Sequence, residues 1–168
     1  MKFKDEQLNF EDNLIKSCQT EIHEISYILK SIKWYPEFSI SVNNNVYFHQ
    51  NAYNKAFEIE FKKHNWDSQP KLKDSPRLIG DFKKSFVFVE IQFGNSSTLY
   101  RDFYKFQYGF QNKLLLIAVL IVPYNELDFF PTRPNSVNNM ANFKLANNIF
   151  TIIPINVPTW IIGLLAEN

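Results

Sequence analysis

Two acidic residues and an amide lie close together in an otherwise apolar part of the sequence. Asp81 follows Ile79-Gly80, and Glu90 and Gln92 belong to the run Val87–Phe93. Side chains alternate along a strand, so Glu90 and Gln92 share one face while the apolar residues between them occupy the other. Because buried polar groups are costly without a partner, an acid and an amide on so apolar a strand indicate a function.

Metal binding is the chemistry that these carboxylates could support. We predict a β-hairpin in which Asp81 starts one strand and Glu90 lies on the next, with Lys83 and Lys84 in the connection. Two acids that converge at a strand edge can hold a hard divalent cation such as Mg²⁺, which takes oxygen ligands. A cation held in this way supports phosphodiester hydrolysis.

The pattern Asp81…Glu90-x-Gln92 resembles the acid–acid–x–lysine motif of the restriction-endonuclease-like nucleases, in its rarer form with glutamine at the lysine position. Within that superfamily, the chain is similar to the family of type II restriction enzymes that includes BglII and BstYI. The resemblance runs from about residue 52 to the C-terminus. Its matching segments are Lys63–Trp66, Val89–Gly94, the apolar strand ending at Val122-Pro123, and Ile155–Gly163.

The resemblance implies an α/β fold, with a restriction-endonuclease-like core in which helices flank a central mixed β-sheet. It implies Asp81, Glu90 and Gln92 as catalytic residues, with Asp81, Glu90 and the backbone carbonyl of Ile91 as Mg²⁺ ligands. A glutamine can orient groups only by hydrogen bonding, so nucleophile activation would rest mostly on the metal. The helix before the motif often adds an acid in this superfamily, and Glu60 is the candidate ahead of Glu58, although a solvent-facing role remains open for both.

The same resemblance implies a magnesium-dependent type II restriction endonuclease that cuts double-stranded DNA at a short palindrome. At its closest it implies a site containing GATC and 5′ overhangs. It also implies a homodimer and a functionally paired DNA methyltransferase. Two alternatives stay open: a catalytically silent DNA-binding or dimerisation module on the same scaffold, and a repair or junction nuclease.

Length and composition agree with one intracellular domain. The chain has 168 residues, which we interpret as a single nuclease domain with a helical N-terminal part (1–50) and a catalytic core (51–168). The single cysteine, Cys18, cannot form an internal disulfide, and no apolar run is long enough to span a membrane, so we expect a cytoplasmic protein. No phosphate-cradling glycine loop is present, which argues against an ATP-driven activity.

Local patterns assign the elements around the motif. Amphipathic spacing predicts helices over Glu11–Ile32, Asn51–Lys63 (with Asn51 as N-cap), Thr98–Gln111 and Ala141–Phe150. Apolar runs predict strands over Phe38–Val42, Leu78–Phe82, Phe86–Phe93, Leu114–Val122, Thr151–Ile153 and Trp160–Leu165. The uninterrupted run after the third helix predicts a buried strand parallel to the Glu90 strand. That third helix has two apolar stripes, which indicates either burial on two sides or a contact with a second subunit.

Polar loops and basic residues could bind DNA. The net charge is only +1, but residues 62–84 contain seven Lys or Arg against three Asp, which suits phosphate contacts, although a solvated loop is an equal alternative. Asparagine, serine and arginine side chains suit major-groove contacts. The DNA-binding candidates are Lys83, Lys84, Asn95, Ser96, Ser97, Arg133, Asn135, Ser136, Asn138, Asn139 and Lys144.

Overall fold

A six-stranded mixed sheet organises the chain, whose computed structural model describes residues 1–152 and 155–167. Its strands, in spatial order, are β1 (Phe3–Leu8), β10 (Thr159–Leu164), β9 (Ile117–Pro123), β8 (Val87–Ile91), β7 (Phe82–Lys84) and β4 (Asp67–Ser68). Strands β8, β9 and β10 run parallel, whereas β1, β7 and β4 are antiparallel to their neighbours. Two small hairpins pair β2 (Ser39–Val42) with β3 (Asn45–Phe48) and β5 (Lys71–Lys73) with β6 (Leu78–Ile79).

Helices cover both faces of the sheet. They are α1 (Asp12–Ser17), α2 (Gln19–Ser31), α3 (His49–Lys63), α4 (Thr98–Gln111), α5 (Glu126–Phe129), α6 (Pro134–Val137) and α7 (Phe143–Ile152). Apolar residues of α2 and α3 pack on one face, and those of α4 and α7 pack on the other. The predicted mixed α/β sheet flanked by helices is confirmed. Within the described residues, no helix is long and apolar enough to cross a membrane.

Strand β9 shows why the central strands are uniformly apolar. Ile117, Val119 and Ile121 face the cluster under α2 and α3. The residues between them, Ala118, Leu120 and Val122, face the cluster under α4 and α7. All of them are fully buried, as a strand covered on both faces requires. The predicted parallel β8–α4–β9 unit is confirmed, and the predicted bounds of α4 are correct.

Several predicted element boundaries were wrong. The first predicted helix is interrupted at Cys18, where the hydroxyl of Ser17 bonds to the carbonyl of Leu14, an alternative to regular helical bonding. Helix α3 starts two residues before Asn51, which is therefore not its N-cap. Ser85 and Phe86 form the turn of the β7–β8 hairpin, while Leu78 and Ile79 pair instead with β5.

The two ends of the chain also depart from the predictions. Thr151 and Ile152 end helix α7 and are not a strand, and Ile153 lies outside the described residues. The N-terminal segment adds an unpredicted strand, because β1 pairs antiparallel with β10 and forms one edge of the sheet. The first 50 residues are therefore not only helical: they help to complete the central sheet.

Candidate active site

The hairpin geometry places Asp81 beside the end of strand β8. The register that pairs Phe82 with Val89 puts Asp81 next to Glu90. The backbone N–H of Ile91 donates to Asp81 Oδ2 over 2.7 Å, which fixes the carboxylate against β8. The preceding residue, Gly80, lies under the ring of Phe88, and a Cβ atom there would be only 2.0 Å from the ring's Cζ. Glycine is required because the backbone before Asp81 passes so close to this ring.

Glu90 lies on the face of β8 that is covered by α4, and it meets a buried lysine there. Lys105 Nζ donates to Glu90 Oε1 over 2.7 Å. The same ammonium lies 2.9 Å from Asp102 Oδ1, as an ion pair without good hydrogen-bond alignment. Residue exposures are 4% for Glu90, 0% for Asp102 and 3% for Lys105, so this charged cluster is enclosed by protein.

Gln92 is held at both ends of its side-chain amide. Its Nε2 donates to Asp102 Oδ2 over 3.0 Å, and its Oε1 accepts from the backbone N–H of Gly94 over 3.0 Å. The amide therefore links the end of strand β8 to helix α4 and to the loop that follows the strand. This arrangement gives Gln92 a bracing role in the structure as it stands.

Burial and neighbouring carboxylates raise the pKa of both Glu90 and Asp81. Burial raises the pKa of Glu90 well above its usual range, and the neighbouring Asp102 and Asp81 raise it further. Burial also raises the pKa of Asp81, against the opposing effect of the hydrogen bond from Ile91. Burial alone would lower the pKa of Lys105, but Glu90 and Asp102 outweigh it and raise that pKa. All three shifts follow from a buried cluster with more carboxylates than cations.

Asp81 also borders a small surface pocket. The pocket has a volume of about 180 Å³ and is lined by Asn54, Glu58, Ser68, Gln69, Asp81, Phe82 and Ile91. Glu58 is the acid of α3 that reaches it, and it also pairs with Lys55 and Lys62. Glu60 instead pairs with Lys63 at 2.6 Å and does not line the pocket. Helix α3 therefore presents Glu58 to this pocket, whereas Glu60, the candidate named first from the sequence, lies outside it.

Two of the loops with DNA-binding candidates meet beside strand β8. The backbone N–H of Ser96 donates to the carbonyl of Asn139 over 2.7 Å. The N–H of Ala141 donates to the carbonyl of Gly94 over 3.0 Å. Asn95, Ser97, Asn138 and Asn139 are exposed, and Ser96 is half-buried. The structure thus joins candidates 44 positions apart in the chain into one polar ridge, which we call the Asn95–Asn139 ridge.

The remaining candidates are scattered. Arg133 is half-buried and donates to Gln50 Oε1, while Asn135 and Ser136 are exposed on α6. Lys144 is exposed beside a wider cleft of about 590 Å³. Lys83 is half-buried on β7. Lys84 Nζ donates to both carboxylate oxygens of Glu24 and to the carbonyl of His64. Its ammonium is therefore paired within the protein and does not point to a phosphate contact.

The sequence analysis missed Asp102 and Lys105. Both lie on the same side of α4 as the buried residues Leu99 and Phe106. A charged pair at positions i and i+3 within the apolar stripe of a helix indicates a buried ion pair, and this signal is present in the sequence. Their partner, Glu90, could not be read from the helix alone, because it depends on how α4 packs on the sheet.

Comparisons with known proteins identify a family and a fold for this chain. The family model described as restriction endonuclease BglII/BglIII matches residues 8–164. No curated protein sequence matches the chain significantly. A crystal structure of restriction endonuclease BglII complexed with a DNA 16-mer superposes with a TM-score of 0.79 at 19% identity, covering 99% of this chain and 78% of that one.

The family match covers nearly the whole chain. The chain belongs to the restriction endonuclease BglII/BglIII family, and its class is therefore that of the type II site-specific deoxyribonucleases. The structural likeness, at its low identity, supports the fold.

Proposed function

We propose that residues 1–168 act as one nuclease domain that cleaves double-stranded DNA at a short palindrome by metal-dependent hydrolysis. The observation that carries the proposal is the excess of carboxylates at the end of β8. Asp81, Glu90 and Asp102 have one buried cation, Lys105, between them. Such an imbalance is costly unless another cation joins the cluster, and it is typical of functional sites.

The oxygen atoms present suit Mg²⁺. Within the described residues, no cluster of three or more His, Cys, Asp or Glu side chains is arranged to hold a metal ion. The donor set that we propose is two carboxylates, Asp81 and Glu90, completed by the backbone carbonyl of Ile91. Hard oxygen donors with net negative charge, and waters for the remaining positions, match the preference of Mg²⁺. When bound, the cation would supply Lewis-acid stabilisation of phosphate charge and lower the pKa of a bound water.

The protein's own groups position these donors. The N–H of Ile91 holds Asp81 Oδ2, which leaves Oδ1 free of described hydrogen bonds. Gln92 braces the strand end through Asp102 and Gly94, so its contribution to catalysis is to keep Glu90 and the following loop in place. Glu58, which lines the same pocket as Asp81, could accept hydrogen bonds from waters around the reacting phosphate.

The substrate assignment follows the family and the Asn95–Asn139 ridge. The superposed BglII structure is a complex with DNA. In this chain the exposed amides and hydroxyls of the ridge, next to the catalytic strand, suit base contacts in the major groove, and Lys144 suits phosphate contacts. The finer proposals are a GATC-containing site, 5′ overhangs, a cytoplasmic location and a paired methyltransferase that protects the host site.

We also propose a homodimer, in which helix α4 forms part of the contact. Tyr100 and Tyr104 are one turn apart on its outer side and are 56% and 49% exposed. Exposed aromatic side chains of this kind are enriched at protein interfaces. A two-fold dimer would present two active sites to the two strands of a palindrome.

Digestion of a fully sequenced plasmid with purified protein and Mg²⁺ tests the proposal. We expect discrete fragments from the wild type and none from Asp81→Ala, with fragment-end mapping giving the site and the overhang. DNA binding without cleavage by the wild type would instead support a silent module. Cleavage confined to branched or damaged DNA would support a repair nuclease.

A further inference from the structure

Lys105 supplies the only buried ammonium near the catalytic strand in the part of the chain that the structure describes. It comes from helix α4, and not from strand β8, where the related motif carries its lysine. Its Nζ reaches Glu90 Oε1 over 2.7 Å and Asp102 Oδ1 over 2.9 Å. Lys105 is only 3% exposed, so this is a buried ion pair and not a surface one.

Gln92 occupies the position where the motif has lysine, but it cannot replace the missing cation. Its amide is neutral, and both of its ends are bound within the protein. The two side chains nevertheless converge on one group, because Gln92 Nε2 and Lys105 Nζ contact the two oxygens of the Asp102 carboxylate. In this chain the buried positive charge therefore comes from helix α4, while strand β8 supplies a neutral amide at the motif position.

We propose that Lys105 is the positioning residue that replaces the motif lysine. Its ammonium holds Glu90 Oε1, and no donor among the described residues reaches Glu90 Oε2. The carboxylate is therefore fixed in one orientation with one oxygen left to bind a divalent cation beside Asp81. Asp102 fixes the lysine in turn and is itself held by Gln92. This inference rests on the proposed metal-dependent nuclease function.

The geometry also predicts that a lysine at position 92, at the end of strand β8, can supply this positive charge in place of Lys105. A lysine at position 92 would start from the same backbone site as an amide that already reaches Asp102 Oδ2 at 3.0 Å. In a Gln92→Lys/Lys105→Met double variant, the ammonium would lie between the same carboxylates, and the net charge of the cluster would be unchanged. Methionine keeps most of the length of the lysine side chain, so the packing of α4 is preserved.

The experiment compares the wild type with Lys105→Met, with the double variant and with Glu24→Gln. The last variant is a matched control, because it breaks a Lys–Glu contact of 2.8 Å between residues that do not line the pocket. Two quantities are measured for each protein: the single-turnover cleavage rate across a Mg²⁺ titration, and the shift of the thermal midpoint caused by Mg²⁺ in the absence of DNA. The second measurement reports on metal binding independently of activity.

For Lys105→Met we expect a loss of about 10- to 100-fold in cleavage rate and in apparent Mg²⁺ affinity, as for other groups that orient metal ligands. The Mg²⁺-induced midpoint shift should shrink. The double variant should recover part of both losses, while Glu24→Gln should keep the Mg²⁺ response of the wild type. A merely structural lysine would give Lys105→Met the same behaviour as Glu24→Gln, and that result would overturn the proposal.

Two safeguards keep the outcome clear. If Lys105→Met does not fold, the double variant decides: measurable cleavage supports the proposal, and a folded but inactive protein overturns it. If the wild type does not cleave DNA, the proposed function fails, and the Mg²⁺-induced midpoint shift still tests whether Lys105 orients Glu90 for a cation.

Discussion

The β7–β8 hairpin carries a lysine–glutamate cluster at each end, and the two clusters differ in balance. At the turn end, Glu24 of α2 accepts two bonds from Lys84 and one from Trp66, so a single acid meets a single cation. At the open end, one lysine of α4 faces Glu90 and Asp102, with Asp81 beside them. The first cluster is partly buried and balanced in charge, whereas the second is more deeply buried and short of positive charge.

The difference separates a stabilising contact from a functional one. A balanced, partly solvated pair contributes modestly to stability and needs nothing more. A buried cluster with surplus carboxylates costs stability, and under the proposed function a divalent cation would balance that charge. The imbalance of charge, more than the presence of an ion pair, distinguishes the end of the hairpin that we propose as the active site.

Removing a surplus charge should have the largest effect. Glu90→Gln should reduce Mg²⁺-dependent cleavage by roughly 1,000-fold, since a metal ligand supplies several kcal/mol of transition-state stabilisation. Because a buried negative charge is lost, the metal-free protein should not become less stable. Cleavage kinetics and urea unfolding without metal check both statements. A large loss of stability would show that Glu90 is needed mainly for folding.

Displacing the backbone before Asp81 should have the next largest effect. In Gly80→Ala the new Cβ would collide with the ring of Phe88, so the segment must shift. We expect a stability loss of about 1–3 kcal/mol. Cleavage should fall by about 10- to 100-fold, because Asp81 moves.

Gly163→Ala is the matched control for Gly80→Ala. Its Cβ would meet the ring of Phe143 at 2.8 Å, away from Asp81. It should lower the midpoint of urea unfolding and leave the cleavage rate of the folded protein nearly unchanged. Equal cleavage losses in the two variants would contradict a specific role for the close packing under Asp81.

Breaking the balanced cluster should have a smaller effect, on stability alone. Glu24→Gln weakens the contacts with Lys84 and Trp66, and we expect a loss of about 1 kcal/mol in the free energy of unfolding. Cleavage by the folded protein should stay within about two-fold of the wild type, because neither Glu24 nor Lys84 lines the pocket beside Asp81. A strong loss of cleavage with an unchanged unfolding midpoint would show that the two ends of the hairpin are coupled.

The smallest effect should be a dependence of stability on pH. The raised pKa of Glu90 means that the metal-free folded state binds a proton more tightly than the unfolded chain does. The contribution of Glu90 to stability is therefore present at low pH and is lost as the pH rises through the folded-state pKa. The free energy of unfolding of the wild type, relative to that of Glu90→Gln, should therefore decrease as the pH rises above the usual pKa range of glutamate. A relative value that rises with pH would contradict this sign.

Sequence reasoning succeeded for elements whose pattern is local. The apolar spacing of α4 predicts its bounds, and the continuous apolar run identifies β9 as a strand covered on both faces. Strand β1 could not be found in this way. Its four central residues are polar and exposed, so its strand conformation depends on hydrogen bonds to β10, far away in the sequence.

The site residues also divide into those that a local pattern predicts and those that depend on distant packing. Asp81, Glu90 and Gln92 could be selected because they belong to one hairpin and its immediate extension. The Lys105–Glu90 contact and the Asn95–Asn139 ridge depend on how distant segments pack, which the order of residues does not state. The sequence could not show that Glu58, and not Glu60, lines the pocket, because this depends on the rotation of α3 against the sheet.

The position of β1 at the edge of the sheet has a consequence for folding. Phe3 pairs with Leu164, so this edge can form only after a loop of almost the whole chain has closed. Such non-local pairing slows folding. The hairpin, α4 and β9 come instead from one continuous stretch of chain. We therefore expect the segment that holds the charged cluster to gain structure early, and the closing of the sheet edge to be the slow kinetic step.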